Sequence, residues 1–267
     1  MKVTFLGAGH MGSALILGSL KAKVLKASQV TVYDLSSEAL GTLKKRAAVK
    51  FAKDSAHAAA QADYIFLCVK PQQMAGLLEE IRKNISSAAC LVTIAAGVKI
   101  GKIESILSPK TVAVVRVMPN TPAMISAGAS AISGGKYAQP AHIKFVLKFF
   151  SAVGKAIVLP ESEFDAVTAV SGSGPAYVFY LTESLIEAGE AIGLSNNAAQ
   201  VLTRQTILGA AQMLQGPDTP QDLRLQVTSP GGTTEAALRH LEKGKWKEIF
   251  VEAVRKAKER SEELSKI

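Results

Sequence analysis

The fold is decided by a stretch near the start of the chain, Val3-Thr4-Phe5-Leu6-Gly7-Ala8-Gly9-His10-Met11-Gly12, which continues into Ser13-Ala14-Leu15-Ile16. The pattern predicts an apolar strand, a Gly-x-Gly-x-x-Gly turn and a helix in direct succession. The first glycine allows the tight turn, the second lets a pyrophosphate approach the backbone, and the third packs the helix close to the sheet. Because a helix N-terminus offers free N–H groups to phosphates, residues 7–12 predict dinucleotide binding.

A second predicted strand, residues 29–33, ends in an acid, Asp34. An acid at this place usually accepts a hydrogen bond from the ribose 2′-hydroxyl and repels a 2′-phosphate, which favours NADH. Ser36 and Ser37 follow and offer hydroxyl groups to a phosphate instead, and no arginine lies next to Asp34 in the sequence. A purely structural alternative is that Asp34 caps the helix that starts near Ser36.

Residues 1 to about 158 alternate between predicted strands and predicted helices. The runs 63–69, 90–94 and 111–117 are apolar along their whole length, as is typical of a parallel sheet covered on both faces. Residues 127–133 and 156–159 predict further strands, with a helix at 139–153 between them. The fold class expected for residues 1–160 is therefore α/β: a Rossmann-like, doubly wound parallel sheet that forms a dinucleotide-binding domain.

Beyond Pro160 the sequence predicts helices and no strand. The predicted helices are 163–170, 176–192, 196–214, 235–243 and 246–265. The two long helices 176–192 and 196–214 carry few charges, and apolar surface of that kind predicts a subunit interface. We therefore expect residues 161–267 to form an all-helical dimerisation and substrate domain.

Ligands of an open parallel sheet bind beyond the carboxyl ends of its strands. The small side chains of Ala95 and Ala96 would admit a flat ring there, whereas Lys70 and Asn120 are equally compatible with a turn or a ligand site. The residues predicted to bind the cofactor are Gly7, Ala8, Gly9, His10, Met11, Gly12, Asp34, Ser36, Val69, Lys70, Pro71, Ala95, Ala96, Gly97 and Asn120.

A second predicted anion site, Ser229-Pro230-Gly231-Gly232-Thr233-Thr234, precedes a predicted helix. Its glycines are expected to expose backbone N–H groups, and its threonines stand at or near the N-cap, so the loop can cradle a carboxylate. The structural alternative is a plain helix cap. A cap needs one Ser or Thr rather than this whole combination, so we favour a ligand site.

Composition excludes several other classes of protein. The chain has 267 residues, of which 48% are hydrophobic, and a formal charge of +9. Its basic residues are scattered rather than clustered, which argues against nucleic acid, and no apolar run approaches the roughly 20 residues of a membrane span.

Two cysteines without metal-ligand spacing predict reduced thiols and no metal site. With the first strand beginning at Val3, we expect no signal peptide and a cytoplasmic location.

Together these motifs make the chain resemble the pyrroline-5-carboxylate reductase family over nearly its full length. The resemblance rests on Phe5-Leu6-Gly7-Ala8-Gly9-His10-Met11-Gly12, Val69-Lys70-Pro71-Gln72, Ile94-Ala95-Ala96-Gly97-Val98, Arg116-Val117-Met118-Pro119-Asn120-Thr121-Pro122-Ala123, Val170-Ser171-Gly172-Ser173-Gly174-Pro175-Ala176-Tyr177 and Val227-Thr228-Ser229-Pro230-Gly231-Gly232-Thr233-Thr234. The last three motifs together are the specific ones. His10 departs from the asparagine of many members, and Asp34 from residues suited to NADPH.

The resemblance implies the last step of proline biosynthesis, the reduction of 1-pyrroline-5-carboxylate to L-proline by NADPH or NADH. It also implies a homodimer or a ring of dimers, with the active site near the dimer interface. By this resemblance Ser229, Gly231, Gly232, Thr233 and Thr234 bind the substrate carboxylate, and Thr234 reaches the ring nitrogen as the catalytic residue.

Two other functions remain open at this point. A β-hydroxyacid dehydrogenase also joins a Rossmann domain to helices, but residues 172–186 lack the lysine of that family's helix, and no base for an alcohol proton is visible. A non-catalytic dinucleotide sensor needs the first domain but gives no reason for residues 229–234. Reduction of an iminium needs no strong acid or base. In keeping with this, none of the four histidines, His10, His57, His142 and His240, lies in a motif that indicates a catalytic role.

Overall fold

The computed structural model describes residues 1–265. Its central feature is one eight-stranded sheet with the strand order β3-β2-β1-β4-β5-β6-β7-β8. The strands are β1 Val3–Leu6, β2 Val30–Tyr33, β3 Lys50–Phe51, β4 Tyr64–Leu67, β5 Cys90–Thr93, β6 Ala113–Met118, β7 Gly128–Gly134 and β8 Gly154–Val158. The helices that connect them are α1 His10–Lys21, α2 Ser37–Lys44, α3 Ser55–Ala59, α4 Met74–Ile81, α5 Ile100–Leu107 and α6 Pro140–Ser151.

The sheet is covered on both faces, as the continuous apolar strands predict. On one face, side chains such as Phe5 and Phe66 pack with Leu15 of α1 and Phe149 of α6, and the Phe5 and Phe66 rings stack at 4.6 Å. On the other face, alternate residues of the same strands pack with buried side chains of α3, α4 and α5. The α/β class with a doubly wound sheet is thereby confirmed.

The two strands at the far edge run against the others. The first six strands are parallel to their neighbours, β6 pairs with β7 antiparallel, and β7 pairs with β8 parallel. Between β6 and β7 lie only a 3-10 helix, Thr121–Ile125, and a few flanking residues. Because a parallel return needs a crossover of a dozen residues or more, this short connection forces the antiparallel direction.

Residues beyond 160 are helical, and the described part of that region contains no strand. After a 3-10 turn at Glu161–Glu163 come α7 Phe164–Val167, a π-helical turn Thr168–Gly172, α8 Gly174–Ala191, α9 Asn196–Met213, α10 Pro220–Gln226, α11 Thr233–Lys243 and α12 Trp246–Leu264. The predicted helix 163–170 is thus a composite of three helical types, and α10 is an addition, opened by Thr219 as its N-cap.

The chain forms two compact units by its contacts. One consists of residues 1–173 together with 257–265, and the other of residues 174–256. The predicted dinucleotide-binding strands and the turn before α8 lie in the first unit, and most of the helical region lies in the second. The last turns of α12 belong to the first unit.

Candidate active site

The loops predicted to bind a cofactor lie at one edge of the sheet. Because β1, β2, β4, β5 and β6 are mutually parallel, their carboxyl ends meet there. The chain passes from β1 to β2 on one side and returns to β4 on the other. The crevice outside β1 and β4 is therefore the topological switch point, where open α/β sheets bind ligands.

The glycine loop has the geometry that a pyrophosphate site requires. Gly7 has φ +109°, and a Cβ there would lie 2.4 Å from the Cys68 carbonyl oxygen. A Cβ on Gly12 would lie 2.3 Å from the Gly7 carbonyl oxygen, whereas one on Gly9 would meet nothing within 4 Å. Gly9 is the N-cap of α1, and no described side chain caps that helix. The open backbone at Gly9 and the uncapped N–H groups fit an anionic group.

Asp34 ties the second strand to the glycine loop. Its carboxylate accepts the Ala8 N–H at 2.5 Å and the Ser36 N–H at 2.7 Å. The alternative that Asp34 caps the next helix is wrong, because the N-cap of α2 is Ser36, whose hydroxyl accepts the Ala39 N–H at 3.2 Å. Both carboxylate oxygens thus stabilise the turn.

A groove of about 660 Å³ runs beside the glycine loop. Gly9, His10 and Ser36 line it at one end, and two basic side chains, Lys21 and Arg46, line it as well. The sequence analysis missed both of these basic residues, because neither lies next to Asp34 in the chain. Ala39, Thr42 and Arg46 follow helical spacing from Ser36, and that spacing is the signal that would have placed Arg46 on the groove side of α2, at the opposite end of the helix from Ser36.

The next two loops approach the same edge with different exposure. Val69 is half-buried, Lys70 is exposed, and Pro71 opens a 3-10 turn. After β5, Ala95 is buried in the core, whereas Ala96 is exposed. Gly97 has φ +74°, a left-handed conformation that glycine adopts without strain. Only Ala96 of the two alanines therefore presents its methyl group at the surface.

The Asn120 side chain forms hydrogen bonds that connect three elements of the fold. Its amide nitrogen donates to the Ser171 carbonyl at 3.0 Å, and its amide oxygen accepts the Ala129 N–H at 2.8 Å. The side chain thereby joins the end of β6 to β7 and to the π-helical turn. The turn role that the sequence left open is thus present, and contact between Asn120 and a cofactor stays a prediction.

The predicted carboxylate cradle lies in the unit formed by residues 174–256. Thr233 and Thr234 form the first turn of α11, whose N-cap is Gly232. The Gly231 N–H donates to Glu235 Oε2 at 2.7 Å, and the Gly232 N–H donates to the Ser229 carbonyl at 3.0 Å. Both glycine N–H groups therefore have partners, contrary to the expectation that they are free.

The side chains of the cradle remain the candidates for ligand contact. Ser229 and Thr233 are exposed, and Thr234 is half-buried. Gly231 has φ +70°, which favours glycine, and a Cβ on Gly232 would lie 3.0 Å from the Ser229 carbonyl oxygen, so the loop accommodates glycine at both positions more easily than a larger residue. Glu235, which the sequence analysis did not single out, completes the loop. In the sequence, Glu235 follows the two glycines at the start of a predicted helix, and this position could have indicated that its carboxylate binds an N–H group of the loop.

Other titratable groups have structural roles. His142 Nδ1 accepts the Gln139 N–H at 3.1 Å at the start of α6, and desolvation lowers its pKa. Both cysteines are free thiols, and burial raises the pKa of Cys90 to about 12. Residues 1–265 hold no group of three His, Cys, Asp or Glu side chains suited to a metal ion. None of the described helices is long and apolar enough to span a membrane.

Comparisons with known proteins agree with both parts of this description. A family model described as pyrroline-5-carboxylate reductase dimerisation matches residues 161–264, and one described as NADP oxidoreductase coenzyme F420-dependent matches residues 2–97. Pyrroline-5-carboxylate reductase of Methanosarcina acetivorans is 40% identical over 266 residues, which cover 99% of this chain and 98% of that protein.

Solved structures give the same relationship. A pyrroline-5-carboxylate reductase from Coxiella burnetii matches with a TM-score of 0.92 and 36% identity, covering 100% of this chain and 99% of that one. The pyrroline carboxylate reductase of Plasmodium falciparum, solved with NADP bound, matches with a TM-score of 0.87 and 33% identity, covering 99% of this chain and 98% of that one.

Proposed function

The chain belongs to the pyrroline-5-carboxylate reductase family, and from this premise we propose how its residues reduce 1-pyrroline-5-carboxylate to L-proline. The observation that carries the proposal is the presence of two candidate ligand sites in one chain: the open glycine loop at the switch point and the hydroxyl groups of residues 229–234 at the start of α11. A dinucleotide and a cyclic imino acid that bears a carboxylate need such a pair.

The dinucleotide site is proposed to follow the loops at the carboxyl edge of the sheet. Gly9 and the uncapped N-terminus of α1 hold the pyrophosphate, Ala96 borders the nicotinamide, and Val69, Lys70 and Pro71 flank it. Asn120 contributes by fixing the chain at the end of β6. When bound, the nicotinamide dinucleotide supplies the hydride that reduces the C=N bond.

NADPH is proposed as the preferred cofactor. Lys21, Arg46 and Ser36 line the groove beside the glycine loop together with one acid, Glu38. The cations outnumber the carboxylate, and with the helix N-cap they favour an additional phosphate. Asp34, the residue that favoured NADH, uses its carboxylate on the Ala8 and Ser36 N–H groups. Its repulsion of a 2′-phosphate is therefore partly offset by these bonds to two N–H donors.

The substrate is proposed to bind at the cradle. Ser229, Thr233 and Thr234 offer hydroxyl groups, Gly231 and Gly232 give the loop its shape, and the first turn of α11 adds the positive end of a helix dipole. The Thr234 hydroxyl donates a hydrogen bond to the ring nitrogen and orients the imine. No strong acid is needed, because a protonated imine is itself a good hydride acceptor.

The assembly and compartment are proposed as well. The apolar α8 and α9 support a homodimer, and a ring of dimers stays a prediction from the resemblance. The domain boundary at 160/161 is retained as a functional division, since the dimerisation model begins at residue 161. The unpaired thiols of Cys68 and Cys90 support the cytoplasm.

One assay tests these assignments: oxidation of NADPH and of NADH with and without pyrroline-5-carboxylate. We expect oxidation that depends on the substrate, with higher kcat/KM for NADPH. Thr234→Ala should lower kcat by roughly 100-fold, because it removes a positioned hydrogen-bond donor, and Thr234→Ser should restore most of the rate.

Thr111→Ala is the matched control, since Thr111 is exposed just before β6 and lies outside both proposed sites. A Thr234→Ala enzyme with a near-normal rate would remove Thr234 from the mechanism. Dinucleotide binding without oxidation in the wild-type protein would favour the sensor, and oxidation driven by a β-hydroxyacid with the oxidised cofactor would favour the dehydrogenase.

A further inference from the structure

The last turn of α12 is fastened to α7 by a pair of serine hydroxyls. Ser261 is buried, and its Oγ donates to Asp165 Oδ1 at 2.6 Å. Ser265 Oγ donates to the same oxygen at 3.3 Å. We call these three residues the C-terminal clasp. Hydrogen bonds to a carboxylate are stronger than neutral ones, so the clasp fixes this turn firmly to α7.

The turn that the clasp holds lies against the loop after β5. A Cβ on Gly97 would lie 3.4 Å from the Leu264 carbonyl oxygen and 3.8 Å from the Ser265 backbone nitrogen. Gly97 has φ +74°, so the turn approaches the loop at its left-handed residue. A shift of the turn therefore changes the space available to Gly97.

The other end of this loop is held by the same segment of chain. Glu161 Oε1 accepts the Ile100 N–H at 2.8 Å, where α5 begins, and also pairs with Arg116 Nη1 at 2.9 Å. Residues 161–165 thus hold the loop at Ile100 directly and at Gly97 through the clasp. The loop thus has one hydrogen-bonded anchor, at Ile100, and one packing contact, at Gly97, and residues of the same short segment hold both.

We propose that the C-terminal clasp positions the loop 95–97 for the dinucleotide. Asp165 and Ser261 touch neither substrate nor cofactor. They act through the last turn of α12, which keeps Ala96 and Gly97 in the conformation that the nicotinamide requires. This inference rests on the proposed assignment of Ala95, Ala96 and Gly97 to the cofactor site.

Three variants of the full chain test the clasp. Ser261→Ala and Asp165→Ala remove the hydrogen bonds, whereas Asp165→Asn keeps an oxygen that accepts them. The measurements are the NADPH dissociation constant by calorimetry, kcat and KM for both substrates, and hydrogen exchange of the amides of residues 95–98. Ser162→Ala is the control, because Ser162 is exposed in the same segment.

We expect Ser261→Ala and Asp165→Ala to weaken NADPH binding by about tenfold, as small misplacements of binding groups do, with faster exchange at residues 95–98. The KM for pyrroline-5-carboxylate should change little, and Asp165→Asn should behave almost as the wild type. A merely structural contact would lower the unfolding midpoint and leave the NADPH dissociation constant of the folded protein unchanged.

The two possible failures are distinguishable. Unchanged hydrogen exchange at residues 95–98 in both alanine variants would overturn the clasp, whatever the cofactor affinity. Faster exchange with an unchanged NADPH dissociation constant would instead overturn the assignment of this loop to the cofactor, and with it the positioning role.

Discussion

The three glycines of the loop after β1, Gly7, Gly9 and Gly12, differ in why the position holds a glycine. Gly7 and Gly12 are required by the fold, because a Cβ on either would lie within 2.4 Å of a backbone carbonyl oxygen. Gly9 has φ −62° and ψ −169°, which any residue can adopt, and open space where its Cβ would be. The motif predicted all three glycines, but only the structure separates Gly7 and Gly12, which the fold needs, from Gly9, where the fold would accept a side chain.

Gly9→Ala and Gly12→Ala should therefore fail in opposite ways. Gly9→Ala should leave the free energy of unfolding within about 0.5 kcal/mol of the wild type. It should weaken NADPH binding by about tenfold or more, because the added methyl group blocks the approach of the phosphate to the backbone. Gly12→Ala should lower the free energy of unfolding by about 2 kcal/mol or more through overpacking. Chemical denaturation and calorimetry measure both. Normal NADPH affinity in Gly9→Ala would contradict the assignment of Gly9 to the pyrophosphate.

At the level of elements, the buried parallel strands were predictable and two helices, α5 and α10, were not. Runs such as Tyr64–Leu67 and Cys90–Thr93 are apolar throughout because both faces of the sheet are covered. Helix α5 was missed, although Ile100, Ile103 and Leu107 are buried at helical spacing, because a short amphipathic segment between strands gives a weak periodic signal.

The π-helical turn shows a different limit. Residues 171–175 predict a break, yet the chain continues as a π turn closed by the Ser173 N–H on the Thr168 carbonyl at 2.8 Å. The amino-acid composition of residues 171–175 does not distinguish a π-helical turn from a loop. The Asn120 side chain, distant in sequence, contributes by bonding the Ser171 carbonyl, so tertiary contact settles what the local sequence leaves open.

A prediction at the scale of elements concerns the ion pair between Arg116 and Glu161, which joins β6 to the 3-10 turn before α7. The Arg116 side chain is only 4% exposed, pairs with Glu161 and lies 4.9 Å from the Phe164 ring centroid. Glu161→Ala should lower the free energy of unfolding by about 2 kcal/mol or more, because it leaves a buried cation without its partner. Glu163→Ala, at an exposed neighbour, should stay within about 0.5 kcal/mol. Urea denaturation tests both, and equal effects would contradict the role of the pair.

At the scale of the whole molecule, the exposed apolar surface explains why the helical region forms a dimerisation domain. Phe179, Tyr180 and Leu202 are 61%, 71% and 56% exposed, far more than a monomer usually tolerates in neighbouring helices. The low charge of these helices predicted an interface. The membership of residues 257–265 in the sheet-bearing unit was not predictable, because it depends on Asp165 and Gly97, which lie far away in sequence.

Phe179→Glu should therefore dissociate the assembly. A carboxylate buried at an apolar interface costs several kcal/mol, so sedimentation at micromolar concentration should move toward the monomer and the reductase activity should fall with it. Lys144→Ala, which changes the charge by the same amount on the exposed face of α6, should sediment as the wild type. An intact dimer in Phe179→Glu would exclude this part of α8 from the interface.

The clasp also gives the chain an order of events during its synthesis. Domains fold as they leave the ribosome, with the amino-terminal parts first, so β1 to β8 can pair while α12 is still being made. The last turn of α12 packs against Gly97 only after Ser261 and Ser265 have been made and bind Asp165. If the clasp has the role proposed above, a nascent chain with a complete sheet holds a dinucleotide only loosely, and tight binding begins once α12 has been made.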